Sequence, residues 1–177
     1  RSTRRALSVM TQHVVSRMGQ RGDGIVDAPD GARHVAKVLP GELVDLAGTR
    51  LLRVIEPSPE RVAPFCPHYG TCGGCKFQHW REEAYRAWKL NGVRAALVTQ
   101  GLPDVLTELQ DAHGAGRRRV SFHVRKVDGT WRAGFMEQKS HDLVPLDQCP
   151  VLVPALQDSP RLAAAFGPLL GDCDVAL

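Results

Sequence analysis

Between Thr11 and Glu56 the apolar residues come in short β-prone runs: His13 to Val15, Gly24 to Val26, His34 to Leu39, Glu42 to Leu46 and Leu51 to Ile55. Gly22-Asp23-Gly24, Pro29-Asp30-Gly31, Pro40-Gly41 and Gly48-Thr49 supply turn residues between them. About five strands at this spacing predict a small closed barrel. Pro57, Pro59, Pro64 and Pro67 follow, each lacking a backbone donor and disfavouring helix in the residue before it, so a loop is expected there. From Arg81 to Gln100 the period changes: Ala84, Tyr85, Trp88, Gly92 and Ala96 recur at three- and four-residue steps, and Gly101 and Pro103 mark the end of one helix.

Residues 117–127 and 130–137 alternate between apolar and polar, and Asp128-Gly129 is a preferred two-residue hairpin turn. That turn sets the register: Arg125 opposite Arg132, Val124 opposite Ala133, His123 opposite Gly134 and Phe122 opposite Phe135. One face is apolar. The other carries Arg117, Arg119, Ser121, His123, Arg125 and Arg132, and facing arginines repel by about a few tenths of a kcal/mol unless an anion lies over them. Arg117, Arg119, Arg125 and Arg132 are therefore candidate phosphate contacts, against the alternative of a solvated outer face. A further helix is predicted over 154–170.

The chain has 177 residues and a net charge of +4 from 23 Lys and Arg against 19 Asp and Glu. The basic excess lies within residues 1–100, whereas residues 101–177 hold more acid than base. Such a balance suits a polyanionic partner but does not require one. No apolar run approaches the roughly 20 residues that span a bilayer. The first residue is Arg1, with no apolar leader after it, which reads as a trimmed or internal start of a cytoplasmic protein. Neither a G-x-G-x-x-G nor a G-x-x-x-x-G-K-[ST] phosphate loop occurs.

The cysteines carry the most chemistry. Cys66, Cys72 and Cys75 cluster in the proline-rich loop, and Cys149 stands far downstream, followed by Pro150. In a reducing compartment such clusters read as metal or redox groups before disulfides. Structural zinc usually draws its ligands as two short pairs, whereas three thiolates from one loop plus a remote Cys-Pro favour a [4Fe-4S] cluster. Zinc and an unmetallated site remain open at this point. Phe77 and His79, just beyond Cys75, are candidate base-stacking groups, and Trp80 reads as packing between loop and helix. Cys173, between Asp172 and Asp174, reads as a packed cysteine rather than a nucleophile.

In order along the chain, these pieces resemble the bacterial 23S rRNA (uracil-C5)-methyltransferase family, in its cluster-containing branch. Gly22-Asp23-Gly24-Ile25-Val26 with Leu39-Pro40-Gly41-Glu42-Leu43-Val44 looks like the TRAM domain, an OB-like RNA-binding barrel. Pro57 to Val62, Pro64 to Tyr69, Cys72-Gly73-Gly74-Cys75, Gln78-His79, Tyr85 and Lys89 look like the family's cluster segment. Gly134-Phe135, Ser140-His141, Leu143-Val144 and Cys149-Pro150-Val151-Leu152 look like the central region that supplies the fourth ligand, with Arg117 to Arg119 as its basic strand.

The resemblance implies an α+β chain in three parts: a TRAM barrel over 1–62, an iron-sulfur loop and helix over 63–105, and part of a β-rich central domain over 106–177. It implies a [4Fe-4S] cluster on Cys66, Cys72, Cys75 and Cys149, and a monomer that recognises 23S ribosomal RNA away from any membrane. In the family the S-adenosylmethionine site, the attacking cysteine and the base lie in a Rossmann-like domain that no position here matches. No catalytic residue is therefore assigned, and the chain alone is expected to be inactive. Two rivals differ in class. A ferredoxin-like or radical enzyme would be marked by a spectroscopic response of its cluster to S-adenosylmethionine, and a zinc-stabilised RNA-binding adaptor by its metal content.

Overall fold

The computed structural model describes residues 10–106, 108–110 and 116–177. They divide into two compact units, one taking the chain up to residue 63 together with 76–108, the other taking 64–75 together with 109–177. The stretch 63–105 thus contributes its cysteine loop to the second unit and its helix to the first.

In the first unit, β1 (Met10–Val14) pairs with β5 (Leu43–Ala47), which pairs with β6 (Arg50–Glu56). A second antiparallel sheet holds β2 (Arg17–Met18), β3 (Gly24–Ala28) and β4 (Gly31–Val35). The chain passes between the sheets at Val15 and Ser16: the Val15 N–H donates to Glu42 of one side, the Ser16 N–H to Ile25 of the other. Val15, Val26, Val35, Val38, Val44 and Leu46 fill one shared core. The β-rich character follows the alternation, but among the described residues the ladders do not close into the barrel expected. Register breaks at Leu43/Val44 and Asp45/Leu46 interrupt β5 against β6, and Lys37, at φ 63°, turns the chain out of strand soon after β4.

Helix α1 (Glu82–Thr99) lies where periodicity puts it and ends before Gly101, at φ 69°. None of its residues is fully buried. Its apolar contact is made by Tyr85 and Trp88, whose rings meet Phe77 and Trp80 at centroid distances of 4.9–6.2 Å.

The second unit is built on a four-stranded sheet in the order β10 (Cys173–Ala176), β7 (Ser121–Val127), β8 (Thr130–Met136), β9 (Leu143–Pro145). The β7–β8 register is the one the turn dictates, with Arg125 opposite Arg132 and His123 opposite Gly134. Asp128 and Gly129 both take positive φ, 47° and 79°, the conformation whose twist matches the flanking strands. Phe122, Val124, Ala133, Leu146, Cys149, Leu152 and Ala163 form the core. The single helix expected over 154–170 is instead three short pieces: a 3₁₀ turn (Pro154–Leu156), α2 (Ser159–Ala164) and α3 (Gly167–Leu170). Pro160 and Pro168 each fall in the first turn of a new piece, because a residue without an N–H is tolerated there and not in a helix interior. Among the described residues no helix is long and apolar enough to cross a membrane.

Candidate functional site

All four candidate ligand cysteines belong to the second unit. Turns wind the loop tightly: the Tyr69 N–H donates to Cys66 at 3.0 Å, and the Thr71 and Cys72 N–H groups both donate to His68. The loop is pinned to the sheet by the Gly73 N–H, which donates to the Met136 carbonyl at 3.0 Å, and by a bridge between Cys72 and Glu137. A Cβ on residue 73 would stand 2.7 Å from that same carbonyl oxygen, so only glycine allows this approach. The Cys72 sulfur accepts the Gly74 N–H at 3.4 Å.

Cys149 reaches the loop from the far part of the sequence. Its N–H donates to Gln157 and its carbonyl accepts from Leu152, which places it in a turn above the core it helps to form. Cys72 and Cys149 are buried, Cys66 and Cys75 half-buried, and none of the four is in a disulfide. Burial pushes the Cys149 thiol up, and so does the negative charge that Cys75, Cys66 and Cys72 would carry, against a hydrogen bond from the Val151 backbone. Cys149 thus feels the charge of all three loop cysteines. Among the described residues no three His, Cys, Asp or Glu side chains close to the spacing of a single bound ion.

The other candidates separate into exposed and engaged groups. Arg117 and Arg119 are exposed. Both precede β7, and Arg117 is held by backbone bonds to Val151 and Val153, with its guanidinium 3.5 Å from the Gly74 carbonyl. Arg125 is half-buried and spent within the chain: its Nη1 donates to the carbonyls of Val124 at 2.8 Å and Cys173 at 3.0 Å, and Asp174 and Asp172 lie 3.7 and 4.0 Å from its nitrogens. Arg132 is exposed, with Asp147 at 3.8 Å. The anions that relieve the facing arginines are therefore this chain's own carboxylates. Strand β10, which the sequence did not announce, delivers Asp174, with Asp172 just ahead of it, and Asp174 also bonds His123 at 2.7 Å.

Phe77 packs over Gly22 and among the rings of α1. His79 is 2% exposed. Burial, then the Arg61 charge, lower its pKa to about 4 against the pull of Glu42 and a hydrogen bond with the Val38 backbone, so it is neutral at physiological pH. A ring so enclosed offers no face for a base to stack on. The group that sequence reasoning passed over is the buried Glu42, salt-bridged to Arg61 beside this histidine. The only hint was a carboxylate set in an apolar run after Pro40-Gly41.

No protein-family model matches the chain. Among curated proteins, it is 43% identical over 169 residues to an uncharacterized RNA methyltransferase of Caulobacter vibrioides, covering 89% of this chain and 40% of that protein. The chain is homologous to part of the RNA methyltransferases. An uncharacterized RNA methyltransferase of Brucella suis is 36% identical, matching 93% of this chain and 42% of its own length. The 23S rRNA (uracil(1939)-C(5))-methyltransferase RlmD of Halomonas elongata is 41% identical over 156 residues, or 81% of this chain and 32% of that enzyme. The chain therefore spans about two-fifths, or less, of these RNA methyltransferases.

Proposed function

We propose that this chain is the RNA-recognition and iron-sulfur part of an S-adenosylmethionine-dependent methyltransferase acting on uracil C5 of 23S ribosomal RNA. The observation that carries the reading is the presence of three clustered cysteines and a remote one in a single compact unit, in a relative of named RNA methyltransferases. Cys66, Cys72, Cys75 and Cys149 would hold a [4Fe-4S] cluster. The donor set fits by its chemistry: it is all sulfur, drawn from a glycine-containing loop and a Cys-Pro turn. When bound, the cluster supplies a rigid covalent link between the loop and the core. On this reading the work of this chain is RNA recognition.

Anaerobically purified protein should contain about four irons and four labile sulfides per chain. Stoichiometric zinc without iron would overturn the cluster assignment.

The RNA half of the reading is tested through salt. Neutralising Arg117 and Arg119 together should flatten the slope of log affinity against log salt by about 1.4, at about 0.7 per phosphate on a single strand. Arg125→Ala should leave the slope unchanged, because that guanidinium is already satisfied within the sheet. Equal slopes for wild type and the Arg117/Arg119 double variant would remove those arginines from the interface.

A further inference from the structure

Beside the cysteine site, and within the same unit, lies an open recess of about 500 Å³, a volume suited to one small planar ligand. Its walls are the chain neighbours of two of the candidate ligands: Phe65, Pro67 and His68 flank Cys66, while Gln148 and Pro150 flank Cys149. Phe65 is 65% exposed. It stands between Pro64 and Cys66, with Pro67 next, in a stretch whose prolines restrict the backbone, so the ring is offered to solvent at little further entropic cost. The polar rim has both signs of hydrogen-bonding group. Arg161, exposed on α2, contributes donors, and the Asp147 carboxylate contributes acceptors. The Gln148 amide nitrogen donates to Asp158 at 2.8 Å, which fixes the amide and leaves its carbonyl oxygen as an acceptor.

An exposed aromatic platform, a cation and fixed acceptors around one ring-sized recess form the set that recognises an unpaired base: a face to stack on, a charge for the adjoining phosphate and partners for the base edge. We propose that this recess takes one unpaired nucleobase of single-stranded RNA, stacked on Phe65, with Arg161 holding a neighbouring phosphate. The proposal rests on the RNA-recognition reading above and names the part of the surface that reads a base rather than the backbone. Because the recess is framed by residues adjoining Cys66 and Cys149, its width is set by how those two segments are held together.

The test is binding of a short mixed-sequence single-stranded RNA to the full chain, purified anaerobically, at several salt concentrations. Phe65→Ala should weaken binding by about five- to hundredfold, the range for loss of one base stack, with an unchanged salt slope. Phe65→Trp should keep the affinity, and Phe65→Leu, which retains apolar bulk without the ring, should lose it. Arg161→Ala should weaken binding and flatten the slope by about 0.7. Iron content and the melting curve are measured on each variant, and Phe65→Leu is read in place of Phe65→Ala if the smaller residue perturbs the loop. Wild-type affinity in Phe65→Leu overturns the proposal while leaving RNA recognition standing. Absence of RNA binding by the wild type overturns both.

Discussion

Cys149→Ala is expected to abolish the intact cluster and to lower the stability of the second unit by about 4 kcal/mol, read as iron content and as a fall in the thermal midpoint of the anaerobically purified chain. The magnitude follows from chain entropy. A link joining residues 75 and 149 closes a long loop in the unfolded ensemble, and closures of that order are worth about 3–5 kcal/mol. Cys149 has a second role that must be separated from the first, since its side chain is 8% exposed among Phe122, Leu146 and Leu152. Removing one sulfur from that core costs on the order of 1 kcal/mol through lost packing alone. The chelated, iron-free proteins supply the control: wild type and variant should then differ only by the packing contribution. An equal difference with and without iron, or a full complement of four irons in the variant, would show that Cys149 is a core residue and not a ligand.

How much of this was legible in the sequence depends on the range of the interaction responsible. The β7–β8 register was readable to the residue because a two-residue Asp-Gly turn admits positive φ at both positions and period-two alternation leaves only one register that buries Phe122 and Val124. That Cys66, Cys72, Cys75 and Cys149 fall in one compact unit accords with treating them as one group from their spacing. Strand β10 was not legible, since four residues at a distant point of the chain, one of them Asp174, carry no periodic signal. With β10 missing, the acids that neutralise Arg125 were missing too, and the hairpin face looked more available to phosphate than it is.

His79 shows the converse failure. A histidine in a loop reads as a surface group, and only the tertiary neighbours Glu42, Arg61 and Val38 account for its burial. Closure of the first unit's sheets was likewise beyond local reasoning, because alternation predicts strands but not the register breaks in β5 that decide whether ladders join. The helix expected over 154–170 failed for a local reason that was available, the prolines at 160 and 168.

Glu42→Gln should destabilise the first unit by about 3–5 kcal/mol, the cost of leaving one partner of a buried ion pair without its counterion. Glu42 is fully buried, and its carboxylate accepts four hydrogen bonds: from Arg61 Nε at 2.5 Å, Arg61 Nη2 at 2.8 Å, Leu39 N–H at 2.8 Å and Ser58 N–H at 3.2 Å. Arg61 Nη2 also donates to the Lys37 carbonyl at 2.9 Å. Through these bonds the pair fastens the segment after β6 to the turn before β5, and that segment in turn holds residues 79–81 by the Arg61–Trp80 bridge and by the Val62 N–H donating to His79. Burial alone would push the Glu42 carboxyl up, but the hydrogen bonds from Arg61, Leu39 and Ser58 outweigh it and hold it below its ordinary value. The sign of the pH dependence follows. As pH falls, the unfolded chain takes up this proton before the folded chain does, so the stabilisation is present above the ordinary carboxylate range and is lost as pH drops through the lowered value. His79 adds loss at higher pH, because its folded pKa of about 4 lies below the ordinary 6.5 and the unfolded chain is protonated first across that window. Melting curves followed by the fluorescence of Trp80 and Trp88, recorded with Trp131→Phe as the common background, should show Glu42→Gln losing the acid-dependent limb below the carboxylate range and His79→Asn losing the limb between about pH 6.5 and 4. A double replacement, Glu42→Leu with Arg61→Met, should recover much of the single variant's loss, since a matched apolar pair leaves no charge unpaired. Melting of Glu42→Gln at the wild-type temperature across the whole pH range would mean that the carboxylate contributes no net stability.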